Sequence, residues 1–138
     1  MENKMTLKFK AIEENLSFAR SVVGAFCVSE NPTMDIISDI KTAVSEAVTN
    51  AIIHGYKGAD GEVTIEAEIK SHMLYLTIID SGCGIENVEM ALKDFFTTAK
   101  IEERSGLGFT IMRSFMDGLS VLSRPLTGTT VQMKKQLA

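Results

Sequence analysis

Glu46, Asn50 and His54 recur every four residues in Ser45-Glu46-Ala47-Val48-Thr49-Asn50-Ala51-Ile52-Ile53-His54-Gly55, so on a helix they form one row. A carboxylate in such a row can orient or deprotonate a nucleophile. The amide oxygen of Asn50 is a hard ligand suited to Mg²⁺. The row flanks an apolar stripe, and a solvated polar face would account for it equally well. His54 also reads as a helix-end histidine near the negative end of the dipole. A second stretch, Asp80-Ser81-Gly82-Cys83-Gly84, follows the apolar run 74–79. A carboxylate ending a strand can accept the exocyclic amine of adenine, and glycines let the backbone approach a flat base. The same composition is that of a common strand-ending turn.

A third stretch, Arg104-Ser105-Gly106-Leu107-Gly108-Phe109, opens a helical pattern. Backbone N–H groups at a helix start bind phosphate, and glycines admit close approach. Arg104 and the nearby Lys100 add positive charge. Alternatively this is a loop-to-helix junction with a serine cap. The fourth is Gly128-Thr129-Thr130-Val131, opening a strand. Successive strand residues face opposite sides, so only one of Thr129 and Thr130 can enter a given pocket.

The elements that must position these residues follow from periodicity. Residues 6–10 alternate and read as a strand. Residues 13–28 read as a helix, with Leu16, Ala19, Val22, Val23 and Phe26 inward and Glu13, Arg20 and Gly24 outward. A second helix runs from about 31 to 54, with Asn31 as cap, Pro32 in the first turn and Gly55 as its stop. Its apolar stripe is Ile36, Ile40, Ala43, Val44, Ala47, Val48 and Ala51. Strands 62–70 and 72–80 form a hairpin about Ser71. A glycine turn 81–85, a helical stretch 87–95, a polar loop 97–104, a helix 106–116 and strands 119–123 and 129–135 complete the order. It predicts an α+β two-layer sandwich, a mixed, mostly antiparallel sheet covered on one face by helices, with residues 1–138 as one domain. No Walker-type Gly-x-x-x-x-Gly-Lys-Ser/Thr run occurs, and no Gly-x-Gly-x-x-Gly follows a strand.

Composition narrows the partners. With 14 basic and 18 acidic residues the net charge is −4, which argues against nucleic acid as the main partner. Cys27 and Cys83 have neither disulfide-framework nor metal-ligand spacing and read as reduced thiols. The N-terminus lacks a signal-peptide core, and no apolar run approaches the roughly 20 residues of a membrane span. A cytoplasmic protein is expected.

The four stretches, in this order and context, resemble the ATPase superfamily of gyrase-type topoisomerases, histidine kinases, mismatch-repair ATPases and heat-shock chaperones. The resemblance spans about residues 5 to 135. Within it the chain is most similar to the small anti-sigma factor serine kinases. The segments that carry this likeness run from Ser45 to Tyr56, from Phe95 to Lys100 (Phe-Phe-Thr-Thr-Ala-Lys) and from Arg104 to Met112. The resemblance implies ATP or ADP and Mg²⁺ as ligands, with Glu46 as general base and Asn50 as the Mg²⁺ ligand. Asp80 would recognise adenine, with Gly82 and Gly84 shaping its pocket. Residues 97–108 would form a lid that brings Thr98, Lys100, Arg104, Ser105, Gly106, Leu107 and Gly108 to the nucleotide. His54, at the end of the nucleotide helix, would also bind the nucleotide. The family's Gly-Thr pattern points to Thr129, with Thr130 the alternative. In histidine kinases the lid reads Gly-x-Gly-x-Gly; here Arg104 stands at the first glycine.

The implied activity is transfer to a serine of an anti-anti-sigma factor by a protein that also sequesters a sigma factor. The implied assembly is a homodimer, without direct nucleic-acid or membrane contact. Arg20, on the outer face of the first helix, is a candidate partner contact or a solvated arginine. Two other functions compete: a nucleotide-switched binding module without significant kinase activity, and a histidine-kinase catalytic domain. The latter needs an acceptor histidine on a preceding helix, which neither His54 nor His72 provides.

Overall fold

A computed structural model describes residues 2–85, 88, 92 and 104–138, without the side chains of 104–106. The lid residues Thr98 and Lys100, the side chains of Arg104 and Ser105, and most of the expected helical stretch 87–95 lie outside the described residues.

Alternation sets the sheet. β2 (Glu62–Lys70) buries Val63, Ile65, Ala67 and Ile69 and exposes Glu62, Glu66 and Lys70. β3 (Met73–Asp80) buries Leu74, Leu76 and Ile78, and the next residue of that parity is Asp80. In β5 (Gly128–Gln136) the buried parity is Thr129, Val131 and Met133. β1 (Asn3–Lys10) and β4 (Gly118–Arg124) form the edges, in the order β1-β2-β3-β5-β4. All four pairings are antiparallel, so the sheet is not mixed. The reason is topological. The chain returns to the sheet at its edge strand β4, and β5 then inserts between β4 and β3, so the two strands that run in parallel across this crossover are not neighbours. β1 starts earlier than alternation alone suggests. On its polar face Lys4 lies opposite Glu68 and Lys10 opposite Glu62, pairs that favour the extended ladder. The β2–β3 turn places Ser71 and His72 both at positive φ, 50° and 65°, as a two-residue hairpin of matching twist requires.

Helices cover the apolar face. α1 (Leu16–Cys27) is flanked by 3₁₀ turns at Glu13–Asn15 and Val28–Glu30. It buries Ala19, Val23 and Cys27, and burial pushes the Cys27 thiol up to about 11, so this cysteine is an inert core residue. Gly24 is buried as well, not outward, because α2 crosses α1 there. A Cβ on Gly24 would lie 2.7 Å from Lys41 Cε. α2 (Met34–Asn50) is capped by Thr33, whose Oγ1 accepts from Ile36 N–H at 3.4 Å. Asn31 cannot cap, since it sits at φ 52° closing the preceding 3₁₀ turn. The stripe from Ile40 to Ala51 is buried, with Ile36 half-buried at its entry. α3 (Arg104–Phe115) packs on α2 and contributes Phe109 and Met112 to the same core.

Candidate functional site

The site lies where the C-terminal end of α2 meets the ends of β3 and β5 and the start of α3. The last turn of α2 widens into a π turn, Ala51–Gly55, closed by Tyr56 N–H donating to the Ala51 carbonyl at 2.9 Å. Such widened turns recur at functional sites. This one brings Gly55 against the acidic end of β3. A Cβ on Gly55 would lie 2.9 Å from Asp80 Oδ1, and one on Gly82 would lie 2.3 Å from the Gly55 carbonyl oxygen. Only glycine lets the helix end and the turn pack this closely.

Asp80 is 9% exposed and shares the helix-facing side of the sheet with Thr129, its partner across the β3–β5 ladder. Burial raises its carboxyl pKa, and N–H bonds from Gly82 and Thr129 pull it part of the way back. The Gly82 bond is 2.9 Å. The parity of β5 places Thr129, not Thr130, on this side.

The turn after Asp80 is fastened on both flanks. Ser81 N–H donates to Tyr56 Oη at 2.8 Å, and Tyr56 Oη donates to the Glu62 carbonyl at 2.7 Å. Cys83 N–H donates to the Gly55 carbonyl at 2.8 Å, and its thiol lies 3.1 Å from the His54 carbonyl. Leu126 N–H donates to the Cys83 carbonyl at 2.6 Å. Ile85 N–H donates to Ser123 Oγ at 2.7 Å. Gly84, at φ 76°, lets the turn pass under the Arg124 carbonyl.

The other half of the site is built differently. Asn50, one helical turn after Glu46, has both amide atoms buried, and neither has a hydrogen-bond partner among the described residues. The row was expected to flank the apolar stripe. Asn50 instead points beneath the start of α3, because α3 packs over α2 at that level. A Cβ on Gly108 would lie 3.1 Å from Asn50 Nδ2, 3.2 Å from its Oδ1 and 3.3 Å from Glu46 Oε1. The backbone of α3 at Gly108, just past the first turn of the helix, is therefore seated on the Glu46–Asn50 row. The Leu107 side chain turns outward and is 41% exposed. His54 is half-buried in the π turn, and Arg20 is exposed on α1, away from the core.

Chemically, the site joins a buried hydrogen-bond acceptor edge at Asp80 to a buried amide, without a partner among the described residues, beneath the N-terminal part of α3. A buried amide without a partner costs about 1–3 kcal/mol. A hard cation with its anionic ligand would satisfy the oxygen of Asn50, so the residues present fit Mg²⁺ and a polyphosphate. Tyr56 and Ser123 carry no role in the sequence reading. The signal for Ser123 is its register opposite Thr129, which becomes countable only once the β4–β5 turn is located.

Comparison with known proteins agrees with this architecture. Residues 9–135 match the family model described as a histidine kinase-like ATPase domain. The chain is 51% identical to the anti-sigma F factor of Bacillus licheniformis, covering 100% of this chain and 95% of that protein. It is 55% identical to that of Halalkalibacterium halodurans, covering 99% and 94%, and 51% identical to that of Clostridium acetobutylicum, covering 100% and 96%. Among solved structures it resembles the RsbU and RsbW domains of a Mycobacterium tuberculosis protein, with a TM-score of 0.71 at 17% identity, over 98% of this chain and 32% of that one. It also resembles the catalytic domain of the histidine kinase ThkA, with a TM-score of 0.60 at 18% identity, over 96% and 97%. At these identities the two structures speak for the fold.

Proposed function

This chain belongs to the anti-sigma F factors, within the histidine kinase-like ATPase domain family, and from that premise we propose that it is an ATP-dependent protein-serine kinase that also sequesters a sporulation sigma factor. The coarser statement, an anti-sigma factor built on an ATPase domain, follows from family membership. The finer one rests on a single observation: the Glu46 carboxylate and the unpartnered Asn50 amide lie together beneath the start of α3. Its substrate is a serine of the anti-anti-sigma antagonist, and residues 1–138 act as one kinase domain, in the cytoplasm and as a homodimer. Arg20 is the partner contact that we assign on α1.

The geometry supports the following roles for the described residues. Asp80 accepts the exocyclic amine of adenine, and Thr129 supplies a second polar contact beside it. Gly106, in the first turn of α3, brings its N–H group to the phosphate oxygens, and Gly108 admits close approach to the Glu46–Asn50 row. We assign Thr98, Lys100, Arg104 and Ser105 to nucleotide contact as well. Asn50 holds Mg²⁺, which when bound neutralises charge on the phosphates. Glu46 accepts the proton of the substrate hydroxyl while its oxygen forms the new bond to phosphorus and the bond to the departing ADP breaks. Phosphoryl transfer of this kind needs positioning and charge neutralisation more than covalent participation by the protein.

The test is incubation with γ-labelled ATP, Mg²⁺ and the anti-anti-sigma protein, followed by identification of the labelled residue. Phosphoserine on the antagonist is the expected result. Binding of nucleotide and sigma factor without transfer would leave a nucleotide-switched module, and phosphohistidine on this chain would overturn the serine-kinase reading.

A further inference from the structure

Ser123 ends β4 with a hydroxyl that makes three contacts: 2.7 Å to Ile85 N, 3.0 Å to the Gly128 carbonyl oxygen and 2.9 Å to Thr129 Oγ1. A serine hydroxyl has one proton to donate and two lone pairs to accept with. The Ile85 N–H can only donate, and the Gly128 carbonyl can only accept. The proton of Ser123 therefore goes to Gly128, and one lone pair takes Ile85. All three contacts are hydrogen bonds at once in only one assignment, the one in which Thr129 donates its own proton to Ser123. The Thr129 N–H is committed too, to the Asp80 carboxylate. What Thr129 Oγ1 has left to offer a ligand is acceptor capacity alone.

We propose that Ser123 is a specificity-determining residue: by holding the Thr129 proton it makes the base edge of the pocket, Asp80 and Thr129 together, purely hydrogen-bond accepting. Such an edge takes a purine with an amine at position 6 and opposes one with a carbonyl there, because two acceptors facing each other leave buried lone pairs unpaired. Ser123 does not touch the base in this scheme. It positions a proton on its neighbour. The inference rests on the assignment of Asp80 to adenine.

The test compares ATP with inosine triphosphate, which carries a carbonyl in place of the 6-amine, by calorimetric titration of the full chain. The wild type should prefer ATP. Ser123→Ala should free the Thr129 hydroxyl to donate and shrink the ATP-to-ITP affinity ratio about five- to tenfold, the worth of one net hydrogen bond. Thr129→Val should weaken ATP binding without improving ITP binding, and adding Ser123→Ala to it should leave the ratio where Thr129→Val put it. Should Ser123→Ala lose its cooperative thermal transition, Ser123→Cys places a poor acceptor at nearly the same volume, and the same loss of preference is expected.

A purely structural Ser123 would weaken both nucleotides equally and keep the ratio, which overturns the inference. So does a further drop in ratio on the Thr129→Val background. A wild type indifferent to ATP and ITP would instead sink the adenine assignment of Asp80. If the wild type discriminates and Asp80→Asn abolishes the preference while Ser123→Ala does not, the inference about Ser123 alone has failed.

Discussion

The two halves of the site treat their own hydrogen-bonding groups in opposite ways. On the β3 side, the N–H groups of Ser81, Gly82, Cys83 and Ile85 all have partners within the protein, and so does the Cys83 carbonyl. On the α2 side, the Asn50 amide is buried with neither atom partnered among the described residues. The first half is rigid before any ligand arrives, so a base would meet a fixed edge with little ordering cost. The second half carries an unfavourable desolvation that no described residue relieves and that a ligand would. On the proposed function, shape selectivity and ligand-dependent stabilisation fall on different elements, joined by the π turn of Ala51–Gly55.

Substitutions on each side should break this contrast in different ways. The largest effect is expected at Glu46. Glu46→Gln keeps the side chain's shape and removes the base, so nucleotide affinity should hold while transfer to the antagonist falls by roughly 10²- to 10⁴-fold; a wild-type rate of label transfer would end that assignment. Asp80→Asn comes next. It should weaken adenine nucleotides by about 10- to 100-fold, the range for a hydrogen bond to a charged group, measured by calorimetry.

The same variant carries a pH signature. The folded-state pKa of Asp80 is raised, so ionisation of this group disfavours the fold, and the stability it contributes below the unfolded-state value is lost as pH rises through the folded-state value. Ligand-free Asp80→Asn should therefore melt higher than the wild type at neutral pH, with the gain vanishing in acid below about 3.9. An equal gain at both pH values would show that the carboxylate's charge is not its source.

Gly82→Ala attacks the rigid half directly. Its Cβ meets the Gly55 backbone at 2.3 Å, so one of two packed backbones must move, at about 1–3 kcal/mol of stability in denaturant unfolding. Unchanged unfolding would mean that the turn is not held as tightly as its bonds suggest. The smallest effect, opposite in sign to that of Gly82→Ala, is expected on the α2 side. Asn50→Leu removes the unpartnered amide, so the ligand-free protein should gain about 1 kcal/mol in thermal unfolding, while Mg²⁺ should no longer tighten ATP binding. A destabilised variant would show that the amide is satisfied in solution and would dissolve the contrast between the halves.

Much of this was legible in the chain itself. The parity of β2 and β3, the stripe along α2 and the four chemistry-bearing stretches follow from residue type and spacing, since burial of one face fixes which residues can alternate or recur. Asp80 shows why that works: it extends the 74-76-78 parity, so its place on the helix-facing side is implied before any packing is known. Other features depend on contacts distant in sequence. Gly24 reads as outward until α2 lays Lys41 across it, and Asn50 reads as a rim residue until α3 covers it. The choice between Thr129 and Thr130 needs the β3–β5 register, and the part played by Ser123 needs three partners from three segments. Local periodicity determines what each segment can present, because it depends only on backbone geometry. Which polar groups end up paired, and which are left for a ligand, is decided when separate segments compete for the same donors in the folded interior.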